Sequence, residues 1–106
     1  MNDCIFCKII NGDIPSKREY EDEHVIVIHD INPQAKLHLL VIPKTHIVSA
    51  DSINEENSVI VAKVFEAIAK VATKLGVTDN YQVLNNCGEK AGQTVKHLHF
   101  HILSNL

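Results

Sequence analysis

Apolar positions along the chain fall into dense runs separated by turn-forming residues. Phe6 to Ile10 reads as a short helical turn, ended by Asn11-Gly12 and Pro15. Tyr20 leads through an acidic stretch, Glu21, Asp22 and Glu23. His24 to His29 encloses Val25-Ile26-Val27-Ile28, a β-branched run that predicts a strand. Asp30-Ile31-Asn32-Pro33 predicts a turn. His38-Leu39-Leu40-Val41-Ile42 predicts a second strand, stopped by Pro43.

Ser52-x-x-Glu55 has the pattern of a capping box. Beyond it, Ile60, Val64, Phe65, Ile68, Val71, Ala72 and Leu75 form one apolar stripe at helical spacing, which predicts an amphipathic helix over about 55–75. Gly76 is its natural stop. Tyr81 to Asn85 predicts a third strand, Gly88 and Gly92 a loop, and Val95 to Leu103 the last strand. One long helix among strands with short connections points to an α+β domain with a mainly antiparallel sheet.

The 106 residues suit one domain, 1–106, with no visible repeat or linker. With 45% hydrophobic and 22% charged residues the chain is globular in composition; with no Trp, aliphatic side chains must fill its core. The net charge of −3 argues against a general nucleic-acid binder, which needs a basic footprint. No apolar run reaches transmembrane length, and Met1 to Ile10 lacks a signal-peptide pattern. Three cysteines, Cys4, Cys7 and Cys87, then fit a reducing cytoplasm.

Seven residues are histidine, and His97, His99 and His101 lie within five positions. They alternate with Leu98, Phe100 and Ile102, so a strand would turn all three imidazoles to one polar face and the apolar residues to the core. Chance alone gives such a triplet in roughly a few per cent of chains of this composition. Taken by themselves, the three imidazoles suit a metal site and phosphate chemistry equally. The preceding loop, Asn85 to Thr94, contains Gly88 and Gly92, where backbone N–H groups can approach an anion, and Thr94 adds a hydroxyl.

Gly92-Gln93-Thr94-Val95-Lys96-His97-Leu98-His99-Phe100-His101-Ile102-Leu103 resembles the His-φ-His-φ-His-φ-φ signature of the histidine triad (HIT) superfamily. Ile5-Phe6-Cys7-Lys8-Ile9-Ile10-x-Gly12-x-Ile14-Pro15 is similar to the start of its Hint (histidine triad nucleotide-binding) branch. So are Asp30-Ile31-Asn32-Pro33-Gln34-Ala35-Lys36-x-His38 and Leu40-Val41-Ile42-Pro43-Lys44-x-His46. The resemblance runs in order from about residue 4 to 103.

That resemblance implies a HIT-like sheet of about five strands with one long helix and a short N-terminal helix. It implies a two-fold homodimer and a purine nucleotide substrate. The activity implied is a nucleoside (adenosine) 5′-phosphoramidase working through a nucleotidyl-histidine. A dinucleoside polyphosphate hydrolase and a non-catalytic nucleotide-binding module are the alternatives. Thr94 stands where many Hint-branch proteins carry Ser, and the string from Gly92 to His97 is also similar to the fragile-histidine-triad branch, which cleaves dinucleoside polyphosphates. The chain ends five residues after His101, and a short C-terminus bears on the leaving group.

Residue by residue, the resemblance makes His99 the nucleophile and His101 a phosphate ligand. His38 orients the reacting imidazole or relays a proton. Asn86, Gly92, Gln93 and Thr94 cradle the phosphate and leaving group, and Asp30 binds the ribose. Phe6, Ile9, Ile28 and Ile31 form the purine slot, although each alone also reads as ordinary core, and Asp30 alone as a turn residue. Cys4-x-x-Cys7 reads as two inert thiols, a redox pair, or half a zinc site. In relatives with this pair His46 and His97 complete the zinc set, leaving His99 and His101 for chemistry. His24 and His29 receive no role, and Cys87 reads as a plain loop thiol.

Overall fold

The computed structural model describes residues 3–106. Met1 and Asn2, the start of the segment read above as lacking a signal peptide, lie outside the described residues. Helix α1 (Ile5–Ile10) leads into five strands and a second helix: β1 (Arg18–Glu21), β2 (Val25–His29), β3 (Leu37–Pro43), α2 (Val59–Lys74), β4 (Gln82–Leu84) and β5 (Phe100–Ser104). The sheet order is β1-β2-β3-β5-β4, and every neighbouring pair is antiparallel. Among the described residues no helix is long and apolar enough to cross a membrane.

Strand alternation builds two cores, one on each face of the sheet. Val25, Val27, Leu39, Val41, Leu98, Phe100 and Ile102 pack against Val64, Ala67, Ile68 and Val71 of α2. Ile26, Ile28, Leu40 and Ile42 face the other way, against Phe6 and Ile9 of α1. Cover on both faces explains why β2 is an unbroken apolar run rather than an alternating one. His38 and His101 follow the parity of Leu40 and Ile42, so they open on the α1 face.

Expected boundaries move, and one strand is new. α2 begins at Val59, not near 55. Ser52 lies in a 3-10 turn (Ala50–Ser52), and the Asn54 side chain accepts from Glu56 N–H and Asn57 N–H in the turn that precedes α2, whose own N-cap, Ser58, makes no side-chain bond. The last strand starts at Phe100, because residues 97–99 form no sheet ladder: Leu98 N–H donates instead to Ile47 carbonyl. β1 is an edge strand that leads into the acidic stretch: charged Arg18, Glu19 and Glu21 surround Tyr20, the one side chain that packs on the α2 core. α2 ends as expected at Gly76, where φ is +73°. Val77 N–H reaches Ala72 carbonyl and Gly76 N–H reaches Thr73 carbonyl, the Schellman arrangement that needs a left-handed residue.

Candidate active site and metal centre

Residues 97–101 run between two side-chain clusters. His97 is fully buried and His99 is 6% exposed, so the expected open polar platform is a covered one. Phe6 of α1 is the cover: its ring meets His99 edge-on at 4.9 Å and His97 at 5.9 Å.

His99 Nδ1 lies 2.7 Å from His97 carbonyl. A carbonyl only accepts, so Nδ1 carries the hydrogen and Nε2 keeps a lone pair. His38 Nδ1 accepts from Gln34 N–H at 3.0 Å, which puts the His38 hydrogen on Nε2. That N–H points at His101 Nδ1, 2.9 Å away, with Asp30 Oδ2 at 3.4 Å. His101 Nδ1 is thus an acceptor, and its Nε2 carries the hydrogen. Backbone groups therefore set three imidazoles in complementary states: one offers a lone pair and its neighbour, 5.3 Å away between centroids, offers a donor.

Burial pushes the His99 imidazole below its ordinary 6.5, opposed by its bond to His97 carbonyl and the pull of Asp30. Burial lowers His101 too, helped by repulsion from His99 and His38 and opposed by Asp30. Both rings are neutral near pH 7, the state a nitrogen nucleophile needs.

Residues 3–106 match the family model described as "Scavenger mRNA decapping enzyme C-term binding". An uncharacterized HIT-like protein of Methanocaldococcus jannaschii is 49% identical over 100 residues, which is 94% of this chain and 77% of the relative. The chain belongs to the histidine triad (HIT) family. Protein HitA of Neisseria gonorrhoeae is 42% identical over 97% of this chain and 96% of its own. A HIT family hydrolase from Clostridium thermocellum superposes with a TM-score of 0.96 at 48% identity, covering all of this chain and 93% of the other. The fold is thus the HIT fold, and that neighbour is named as a hydrolase.

In this HIT protein the third triad member turns away from the other two. His97 Nε2 donates to Pro43 carbonyl at 2.8 Å, so Nδ1 presents a lone pair. Cys4 Sγ lies 3.3 Å and Cys7 Sγ 3.5 Å from that atom, and His46 Nδ1 is 3.2 Å from Cys7 Sγ. In a tetrahedral zinc site, sulfur and nitrogen ligands sit ~3.6 Å apart, from metal–ligand distances of ~2.3 and ~2.0 Å. The four ligand atoms all lie within 4.8 Å of one another, and the set Cys2His2 fits a closed structural metal centre. The Pro43 contact is the outer hydrogen bond that such a ligand needs. Burial pushes the Cys4 thiol above its ordinary value, so protons compete with a metal there. Among the described residues, no metal-capable group unites His97, His99 and His101, which removes the reading of the triad as one metal site.

The purine-slot residues divide. Phe6, Ile9 and Ile28 are buried, whereas Ile31 is 94% exposed. All four, with Asp30 and Leu40, line one cavity of about 410 Å³, a size typical of small-ligand pockets. Ordinary core does not explain Ile31, an apolar side chain standing at the rim of that cavity. Asp30 is also a turn residue, since Oδ1 accepts from Asn32 N–H.

The loop is self-supporting. Asn86 Nδ2 donates to Ala91 carbonyl, and a side chain at Gly92 would meet that amide at 3.4 Å. Gln93 is buried and spent: its amide donates to Val48 and Val95 carbonyls, its Oε1 accepts from Gly88 N–H, and its own N–H goes to Gly88 carbonyl. Gln93 therefore holds the loop through both its side chain and its backbone. Thr94 is exposed.

Two residues escaped the sequence reading. Asn85 Nδ2 ties down His99 carbonyl, and Gln34 N–H selects the His38 tautomer. The first is one of an Asn pair before the Gly-rich loop; the second acts through its backbone, which no side-chain pattern reveals. His29 bonds Glu19, which also pairs with Lys74 of α2, so its role is structural. His24 is exposed beside Glu23, and Cys87 is an exposed free thiol.

Proposed function

We propose that this HIT protein is a purine nucleoside 5′-phosphoramidase acting through a nucleotidyl-His99 intermediate. The observation that carries the reading is the paired tautomers: a His99 Nε2 lone pair beside a His101 Nε2–H donor. In this reading the purine occupies the cavity of Phe6, Ile9, Ile28 and Ile31, and Asp30 binds the ribose hydroxyls. Asn86, Gly92 and Thr94 flank the phosphate. His99 Nε2 attacks the α-phosphorus while His101 donates to a phosphate oxygen. The phosphorus–nitrogen bond to the leaving amine breaks, and the amine takes its proton from water at the exposed Thr94 side. The hydroxide left by that water then attacks phosphorus, the bond to Nε2 breaks, and the nucleoside monophosphate leaves with neutral His99 restored.

Several further parts of the reading rest on the family. Residues 1–106 form one HIT domain in the cytoplasm, with no nucleic-acid or membrane partner. Zinc occupies Cys4, Cys7, His46 and His97, where it supplies cross-linking of the N-terminus to the sheet and no step of the chemistry. Less than ~0.2 zinc per chain, in protein purified without chelator, would contradict this given the affinity of such sites. A two-fold homodimer is supported by the β4 edge, whose Val83 and Leu84 are exposed beside an unpaired ladder.

The test is turnover of an adenosine phosphoramidate and a diadenosine polyphosphate by wild type and His99→Ala. The proposal expects preference for the phosphoramidate, and loss of both activities in the folded variant. Preference for the dinucleotide favours the polyphosphate hydrolase that the Gly92–His97 string also resembles. Unchanged turnover in the variant ends the nucleophile assignment.

A further inference from the structure

His97 belongs to both clusters at once. Its ring faces Cys4, Cys7 and His46, while its carbonyl accepts the hydrogen that fixes the His99 tautomer. Only the backbone between two alternate residues separates the functions. The ring is held from both ends, by Pro43 carbonyl at Nε2 and by the two thiols at Nδ1. His46 closes the cage edge-on, 4.7 Å from His97 between centroids. With no strand ladder at residues 97–99, this anchoring joins the Leu98 N–H bond to Ile47 carbonyl in holding the His97 peptide.

A second connection runs through α1. Cys4 caps the helix, its sulfur accepting from Cys7 N–H. Phe6 lies between the two cysteines and covers the His99 ring. The same two ligands thus locate both the carbonyl behind His99 and the ring above it.

We propose that Cys4, Cys7 and His46 are positioning residues for the nucleophile: ligation of His97 holds its carbonyl on His99 Nδ1 and so keeps the attacking lone pair on Nε2. The metal centre is then more than a staple for the N-terminus. If the carbonyl drifts, His99 samples the other tautomer, which puts a hydrogen where the lone pair is needed. The proposal rests on His99 as the reacting group, but the tautomer itself is observable without any substrate.

Cys4→Ser separates ligand from cap, because Ser is a preferred helix N-cap but a poor ligand for zinc beside thiolates. Wild type and Cys4→Ser are prepared with Zn2+ and compared by 15N NMR of the His99 side chain. Wild type is expected to show the Nδ1–H tautomer alone. Cys4→Ser is expected to show a mixture, with kcat lowered about tenfold or more and KM within about twofold, as for lost outer-shell support. Cys4→His restores a nitrogen ligand and is expected to recover both readouts. A Cys4→Ser protein that has lost metal and melts lower, yet keeps a pure Nδ1–H tautomer, overturns the proposal: the centre is then only structural. Should Cys4→Ser not fold, His46→Ala, which removes an exposed ligand, carries the same comparison. Absence of turnover in wild type would refute the phosphoramidase reading alone, and the NMR result would still decide this one.

Discussion

A neutral imidazole exists in two forms that differ only in which nitrogen holds the hydrogen, and here backbone groups make the choice. Gln34 N–H sets His38, His38 sets His101, and His97 carbonyl sets His99. His38→Phe keeps a ring of similar size but removes the donor to His101 Nδ1. It is expected to lower kcat by about 10- to 100-fold, as outer-shell losses do, in a protein that still folds; a steady-state rate equal to wild type would remove His38 from the chain. His101 also makes stability depend on pH. Burial with repulsion from His99 and His38 lowers its proton affinity below the ordinary 6.5, against the pull of Asp30. The unfolded chain therefore binds the proton first as pH falls, so its contribution is full above about 6.5 and is lost on acidification through the lowered folded value. The gap in urea midpoint between wild type and His101→Phe should change in that direction, wild type losing ground from about pH 7.5 to 5.5. A gap independent of pH would contradict the shift. At this scale the sequence named the imidazoles but not the states of His38 and His101, because those tautomers depend on an amide and a second imidazole that only folding brings near.

Elements were legible where apolar periodicity was strong. β2, β3 and α2 stand close to their expected places because Val25–Ile28, Leu39–Ile42 and the 64–68–72 stripe each bury a defined face. β1 was not, since its charged edge carries only Tyr20 into the core. The start of α2 was misplaced because Asn54 holds residues 55–58 in a turn of their own, and the helix begins only after Ser58, which makes no side-chain cap bond. Gly76 was read for the right reason. Its φ of +73° disfavours any side chain, yet open space surrounds the missing Cβ, so the cost of Gly76→Ala is conformational alone. That cost is about 1 kcal/mol, or about 4–8 °C in Tm for a domain of this size. Calorimetry that finds no loss would mean the Schellman turn is not needed to end α2. Glu19 joins three elements, accepting from His29 of β2 and Lys74 of α2 while sitting on β1. Those partners hold its carboxyl below the usual carboxylate range, Lys74 foremost. Glu19→Gln is expected to cost about 1 kcal/mol of unfolding free energy by denaturant titration, at the upper end for a partly exposed pair; an unchanged midpoint would assign β1's attachment to Tyr20 alone.

Across the whole molecule, the sheet is the platform and the N-terminus is its lid. α1 is six residues long, too short to hold itself in place, and its attachment comes from Phe6 and Ile9 in the core and from the two cysteines against His46 and His97. A chelator should therefore lower Tm at a given protein concentration, and added Zn2+ should restore it, by the linkage between binding and folding. A melting curve indifferent to both would show that the four side chains hold no metal. The order of residues along the chain displayed this arrangement only in outline: motif spacing located the ligands and the triad, while the shared use of His97 emerged only when its ring and its carbonyl could be seen pointing apart. The central claim remains the lone pair on His99, and its product is a covalent bond. Rapid quenching of wild type with an adenosine phosphoramidate, followed by mass spectrometry of the peptide containing residues 97–101, is predicted to find one nucleoside monophosphate on His99. A quenched sample that turns over substrate but carries the group on His101 or His38, or carries none in a single-turnover time course, would contradict the account.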